Sequence, residues 1–311
     1  MIETVPLELP VSAAETAEFA ELVLDQLDRG RLTDDARSRF AVRAAALQLG
    51  SFTIHPGSIV KDPIHPSTYY VVADARHGSI LLRIALASSP SSGLFPKAVL
   101  IGRMRTRSGR EVVINAARFS PADHDHLRTF SEQVDTSFLP RPQGGLPSIA
   151  VQCRNPAAML PAAFQAFRSV LKRLGINVAA VQVQSEYEDS YYATLWSAIR
   201  LGWRDGYTIG AEIDAATDVS TLARYTKFTV LEHTASIAEA ERIYDTIIEA
   251  TAGRSSRRKF DFEVPAELLE QFKAGGRFAQ ARRPDLYIPI DGMGPEEIVN
   301  EIVARAEALK P

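Results

Sequence analysis

Apolar positions recur three and four apart through 12–29, where Phe19, Leu22, Val23 and Leu27 fall on one helical face. Ser12 with Glu15 three residues later forms a capping box, and Gly30 stops the segment. A second helix is predicted over 33–49, opened by Thr33 and ended by Gly50. These two helices read as a cap or as a homo-oligomer contact. From 51 to 119 the chain takes on strand texture. YYVVADARHGSILLRIAL turns at Arg76-His77-Gly78-Ser79, and KAVLIGRMRTRSGREVVINAARF turns at Arg107-Ser108-Gly109. With the breaker-rich 88–93 between them, the hairpins predict a small, mostly antiparallel sheet.

Beyond 120 the pattern alternates. Ser120 with Pro121 at the first helical position predicts a helix over 121–134. The Pro- and Gly-rich 139–147 suits neither helix nor strand. Strand-like runs then occupy 148–153, 178–185, 207–214, 227–234, 259–264 and 286–291. Amphipathic helices are predicted at 161–174, 190–202, 236–251, 266–273 and 295–309. Six βα units with continuously apolar strands imply a parallel sheet covered by helices. The fold class is therefore α/β, with a (β/α) TIM-barrel-like domain at 120–311. An N-terminal helical and antiparallel-sheet module at 1–119 precedes it. A strand from 110–117 is expected to complete the barrel, and an open doubly wound sheet is the alternative.

Composition narrows the function. The 311 residues carry 35 basic and 38 acidic side chains, a formal charge of −3, with 46% hydrophobic residues. That balance excludes a disordered chain and argues against a nucleic-acid binder, since no cationic surplus exists to neutralise phosphates. The single cysteine, Cys153, excludes an internal disulfide and a Cys-rich zinc site. No apolar run approaches the ~18 residues of a membrane span. The N-terminus lacks the layout of a signal peptide, so a cytoplasmic location is expected.

In parallel α/β folds, sites form at the C-terminal ends of strands. The polar residues there are Gln152 and Arg154, Gln184 and Glu186, Glu212 and Asp214, Glu232 and His233, Asp261 and Glu263, and Asp291. Carboxylates joined by an imidazole suit a divalent cation such as Mg, Mn, Zn or Ni, and the same set suits sugar hydroxyls. Gln182 and Gln184 stand out within an apolar strand, because a buried amide without partners is costly.

Other motifs lead to blander readings. Asp123-His124-Asp125-His126 sits in the first turn of a helix, where acids complement the dipole. His55-Pro56 and His65-Pro66 are candidates for a lid. The basic run Arg254, Arg257, Arg258 and Lys259 precedes a strand and reads as solvated surface. Gly292-Met293-Gly294 resembles a phosphate cradle, but Glu296 and Glu297 would repel an anion. Cys153 has no base beside it in sequence. A lyase or aldolase chemistry on Lys227 is disfavoured, since that lysine begins its strand. No P-loop, GxGxxG, GxSxG or HExxH occurs.

The stretches FRSVLKRLGINVAAVQVQSE (167–186) and TLWSAIRLGWRDGYTIGAEID (194–214) resemble the tagaturonate epimerase family. Residues 124–151 and KFDFEV (259–264) are similar to further segments of it. The family's Gly-Asp-Arg signature stands here as Gln152-Cys153-Arg154, keeping the arginine. Its Asp-x-Asp-His signature stands as Ala211-Glu212-Ile213-Asp214, keeping two acids. The resemblance implies a barrel fold, a hexuronate-type substrate and a divalent metal. The expected function is a metal-assisted sugar or sugar-acid epimerase or isomerase. In it Glu212, Asp214, Glu232 and His233 bind the metal, and Glu186 and Glu263 move protons. Arg154, Gln182 and Gln184 hold a small-molecule sugar or sugar acid. The alternative is a non-catalytic carbohydrate-binding or regulatory protein on the same scaffold.

Overall fold

A computed structural model describes residues 11–27, 32–89, 93–95, 97–142, 149–174, 179–183, 187–214, 216–231, 236–252, 260–274 and 286–308. The chain divides into two compact units. The first comprises 1–138 with 198–203, and the second comprises 139–197 with 204–311.

In the first unit, helices α1 (Ala13–Leu27) and α2 (Asp34–Ala45) precede a sheet built from six strands. These are β1 (Phe52–Ile54), β2 (Val60–Lys61), β3 (Thr68–Ala75), β4 (Gly78–Leu86), β5 (Val99–Arg105) and β6 (Glu111–Arg118). The order is β1-β3-β4-β6-β5, with β2 also on β3, and every pairing is antiparallel. Both predicted hairpins are thus present. β6, expected to complete a barrel, instead lies between β4 and β5 in this sheet, because its alternating apolar residues fit a hairpin ladder.

β3 is buried on both faces. Tyr69, Val71 and Ala73 join Phe19, Val23 and Leu24 of α1, and Phe19 meets Phe40 and Phe52 at centroid distances of 5.9 and 6.2 Å. Tyr70 on the other face packs against Phe95 and Phe130. The helix expected from Pro121 starts later, as α3 (His124–Thr129), and continues as one π turn through Val134. The carboxylate of Asp123 accepts from the amide and hydroxyl of Ser120, so the presumed capping serine is consumed in a turn before the helix.

The second unit contains β7 (Ile149–Cys153), α4 (Pro156–Leu174), β8 (Ala179–Val183), α5 (Tyr187–Leu201), β9 (Thr208–Ile213) and β10 (Lys227–Val230). It continues with α6 (Ile237–Ala250), β11 (Asp261–Glu263), α7 (Ala266–Ala274), β12 (Leu286–Pro289) and α8 (Pro295–Ala308). The last turn of α5 is counted with the first unit. All neighbours in the order β11-β10-β9-β8-β7-β12 are parallel. β11 and β12 form the two edges and are not paired, so no closed barrel is formed among the described residues.

The register sorts the strands into two unlike faces. Ile149, Val151, Cys153, Ile209, Ala211, Ile213, Phe228, Val230 and Phe262 point to one side and are buried. Helices cover that side: Tyr244 of α6 meets Phe262 at 5.2 Å, and Phe164 of α4 meets Tyr207 at 5.4 Å. The opposite side carries Gln152, Gly210, Glu212, Lys227, Thr229, Asp261, Glu263 and Tyr287. The strands expected to be apolar throughout are therefore apolar on one face only.

That polar face is concave. In a flat sheet the two edges of six strands would lie about 24 Å apart. Here the Tyr287 hydroxyl on β12 donates to Glu263 on β11, a contact that requires the sheet to curl until its edges meet through side chains.

Candidate functional site

Two groups of polar side chains occupy the concave face. The first is built on Glu263, the last residue of β11. Its Oε1 lies 2.8 Å from the Lys227 ammonium, and its Oε2 accepts from Thr229 Oγ1 at 2.9 Å and from the Tyr287 hydroxyl at 2.5 Å. The side chains of Lys227 and Glu263 are only 3% and 5% exposed. Lys227 also lies 5.5 Å from the centre of the Tyr287 ring.

Register explains how a lysine at the start of β10 reaches a carboxylate at the end of β11. Thr229, not Lys227, sits opposite Glu263. The two Cα positions are offset by two residues, about 6.6 Å of strand, and the long lysine and glutamate side chains close that offset between them. Burial pushes the Glu263 carboxyl up from the ordinary carboxylate value, and the Lys227 ammonium and the Tyr287 and Thr229 hydroxyls pull against that rise.

The second group centres on Glu212. Its Oε1 accepts from the Gln152 amide at 3.0 Å across the intervening strand, and its backbone carbonyl accepts from the Tyr187 hydroxyl at 2.8 Å. Oε2 of Glu212 has no hydrogen-bond partner among the described residues. Asp214 ends the same strand two residues on, and its Oδ1 accepts from the Ala216 amide and the Thr217 hydroxyl. Burial raises the Tyr187 phenol, and the negative charges of Asp214 and Glu212 add to that rise. Tyr187 is held in turn by Tyr225, whose hydroxyl donates to the Tyr187 carbonyl and whose ring lies 6.0 Å away.

The chain matches no protein-family model and no curated protein sequence. Among solved structures it is similar to fructuronate-tagaturonate epimerase from Cohnella laeviribosi. The native crystal structure of that enzyme is matched at 13% identity and a TM-score of 0.43, over 88% of this chain and 50% of that one. A complex with one glycerol is matched at 14% identity and a TM-score of 0.42, over 78% and 44%. The chain spans about half the length of these structures. A likeness at this level leaves the chemistry to be argued from the residues themselves.

Of the sequence-predicted site residues, Gln152, Glu212 and Glu263 lie on the concave face, with Asp214 at the following strand end. Arg154 follows β7, with its amide donating to Asp291 at 2.7 Å and its side chain largely exposed. Residue 182 holds the register position between Gln152 and Gly210. Gln184, Glu186, Glu232 and His233 lie outside the described residues. Among the described residues no group of three or more His, Cys, Asp or Glu side chains is placed to hold a metal ion.

Tyr287 and Thr229 were missed by sequence reasoning, and Lys227 was set aside. The signal was available in alternation: Lys227-x-Thr229 and Asp261-x-Glu263 repeat the two-residue spacing of Glu212-x-Asp214. His55 Nε2 lies 2.9 Å from both Asp74 Oδ2 and Arg200 Nε, which holds the ring against β3. In the Asp123–His126 run, Asp125 pairs with Arg128 and His126 bonds to the Arg118 carbonyl.

Proposed function

We propose that the second unit binds a sugar acid of the hexuronate type on the concave face of a barrel-like sheet and epimerises or isomerises it with metal assistance. The observation that carries this reading is the segregation of the sheet. Among the described residues one face is apolar and packs under helices, while the other gathers a carboxylate–amide pair, a buried lysine–carboxylate pair, a phenol and a hydroxyl. Concave sites with a few convergent polar groups suit small polyhydroxylated molecules. The motif resemblance to tagaturonate epimerases supports the substrate class.

In this reading Glu212 and Asp214 supply two hard oxygen ligands from one strand, joined by Glu232 and His233. The Oε2 of Glu212, without a hydrogen-bond partner among the described residues, and the carboxylate-rich donor set fit a divalent ion such as Mn, Mg, Zn or Ni. When bound, the ion would polarise a substrate carbonyl or hydroxyl. Glu186 or Glu263 would carry the proton, and Arg154, Gln182 and Gln184 would orient the carboxylate and hydroxyls.

Elemental analysis of purified protein, beside Glu212→Gln and His233→Ala, tests the metal site. One equivalent of metal in the native protein, lost in both variants, is expected. Unchanged metal content in the variants would sink the site. Thermal-shift titration with uronates, with and without added metal, tests the ligand: stabilisation that needs both is expected. Stabilisation by sugar alone, without turnover, would leave a binding protein instead.

A further inference from the structure

We propose that Lys227 is an amine nucleophile for carbonyl compounds, with Glu263 as its proton carrier and Tyr287 holding that carboxyl in place. Three observations point there. Lys227 sits on the polar concave face one layer below Glu263, and its ammonium meets that carboxylate. It is stripped of water and in contact with a carboxylate at 2.8 Å, close enough for direct proton transfer. The second carboxylate oxygen is held by two hydroxyls, Thr229 and Tyr287, so the acceptor is fixed while its other oxygen faces the amine.

Burial pushes the Glu263 carboxyl up, which suits it to receive a proton. The chemistry closes without any further reagent. Glu263 takes one proton from the Lys227 ammonium, leaving a neutral amine and a carboxylic acid. The amine nitrogen forms a bond to the carbonyl carbon, and the carbonyl π pair moves to oxygen. That oxygen takes a proton from the new ammonium centre, giving a neutral carbinolamine. Glu263 then returns its proton to the carbinolamine hydroxyl, the C–O bond breaks and water leaves. The products are a protonated imine on Lys227, one water and the Glu263 carboxylate, with charge unchanged overall. The ligand class is a small aldehyde or ketone. This inference does not depend on the hexuronate reading, since the probes are not uronates.

The test is reductive trapping. The full chain is incubated with dihydroxyacetone or pyruvate, reduced with sodium borohydride and mapped by peptide mass spectrometry. Seven lysines are present, so the adduct can be assigned to one residue. One reduced adduct per chain at Lys227 is expected, absent in Lys227→Arg, which preserves the charge pair. Glu263→Gln should slow formation at least about a hundredfold, the low side of what a positioned proton carrier contributes. Adducts confined to other lysines would overturn the proposal, as would labelling of Lys227 indifferent to Glu263→Gln. The wild-type measurement stands alone if a variant fails to fold.

Discussion

Replacing Lys227 with methionine keeps most of the stem that lies along β10 and deletes only the ammonium. Glu263, 5% exposed, is then left on the concave face with two hydroxyl donors and no counter-charge. Removing one member of a buried ion pair costs about 3–5 kcal/mol, because the remaining charge keeps its desolvation penalty. At about 2–4 °C per kcal/mol for a domain of 150–250 residues, the melting temperature should fall by about 6–20 °C. The loss should depend on pH. Without the ammonium pulling it down, the folded-state carboxyl titrates further above its unfolded value. The variant is then least impaired at acid pH, where Glu263 is protonated, and worsens as pH rises through the folded-state value. Urea unfolding of wild type, Lys227→Met, Glu263→Gln and the double variant at pH 5 and pH 8 reads this directly. The double variant should be more stable than Lys227→Met, since no unpaired charge remains. A cost below about 1 kcal/mol, additivity of the two changes, or a deficit independent of pH would refute the reasoning.

Further outcomes follow from other sites. Gly202 has φ +67°, and a Cβ there would overlap the Gly57 backbone. Gly202→Ala should therefore cost at least about 2 kcal/mol from backbone strain and overpacking, read by chemical unfolding. Burial raises the Asp74 carboxyl, but hydrogen bonds from His55 and Ser79 and the Arg200 charge outweigh it and hold it well below the ordinary value. Its contribution is therefore full above about pH 4 and is lost as pH falls from there, so the stability gap between wild type and Asp74→Asn should narrow between pH 7 and pH 3. The Cys153 thiol is pushed up to about 12 by burial, aided by the nearby Asp291 charge. A disulfide reagent at pH 8 should label it slowly in the folded protein and fully after denaturation.

Local signals carried much of the architecture. Turn chemistry at Gly78 and Gly109 was enough to place both hairpins, and apolar runs bounded by breakers located all six parallel strands. What local pattern does not encode is reach across the sheet. Lys227 was set aside because it begins its strand, yet its ammonium meets Glu263, which lies two residues further along the register. Tyr287 meets Glu263 only because the sheet curls, and their strands lie at opposite edges of it. Helix starts depended on competition for donors and acceptors: Asp123 engages Ser120 instead of leaving it to cap α3. The carboxylates of Glu212 and Asp214 were legible from spacing, while the amide that Gln152 gives Glu212 across a strand was not.

The most direct test of the central claim is turnover of a hexuronate. Purified protein supplied with Mn, Mg, Zn or Ni should convert fructuronate and tagaturonate into one another, followed by proton NMR, and Glu212→Gln should abolish the conversion while remaining folded. No interconversion by metal-supplied, folded wild-type protein, or full activity in Glu212→Gln, would contradict the account.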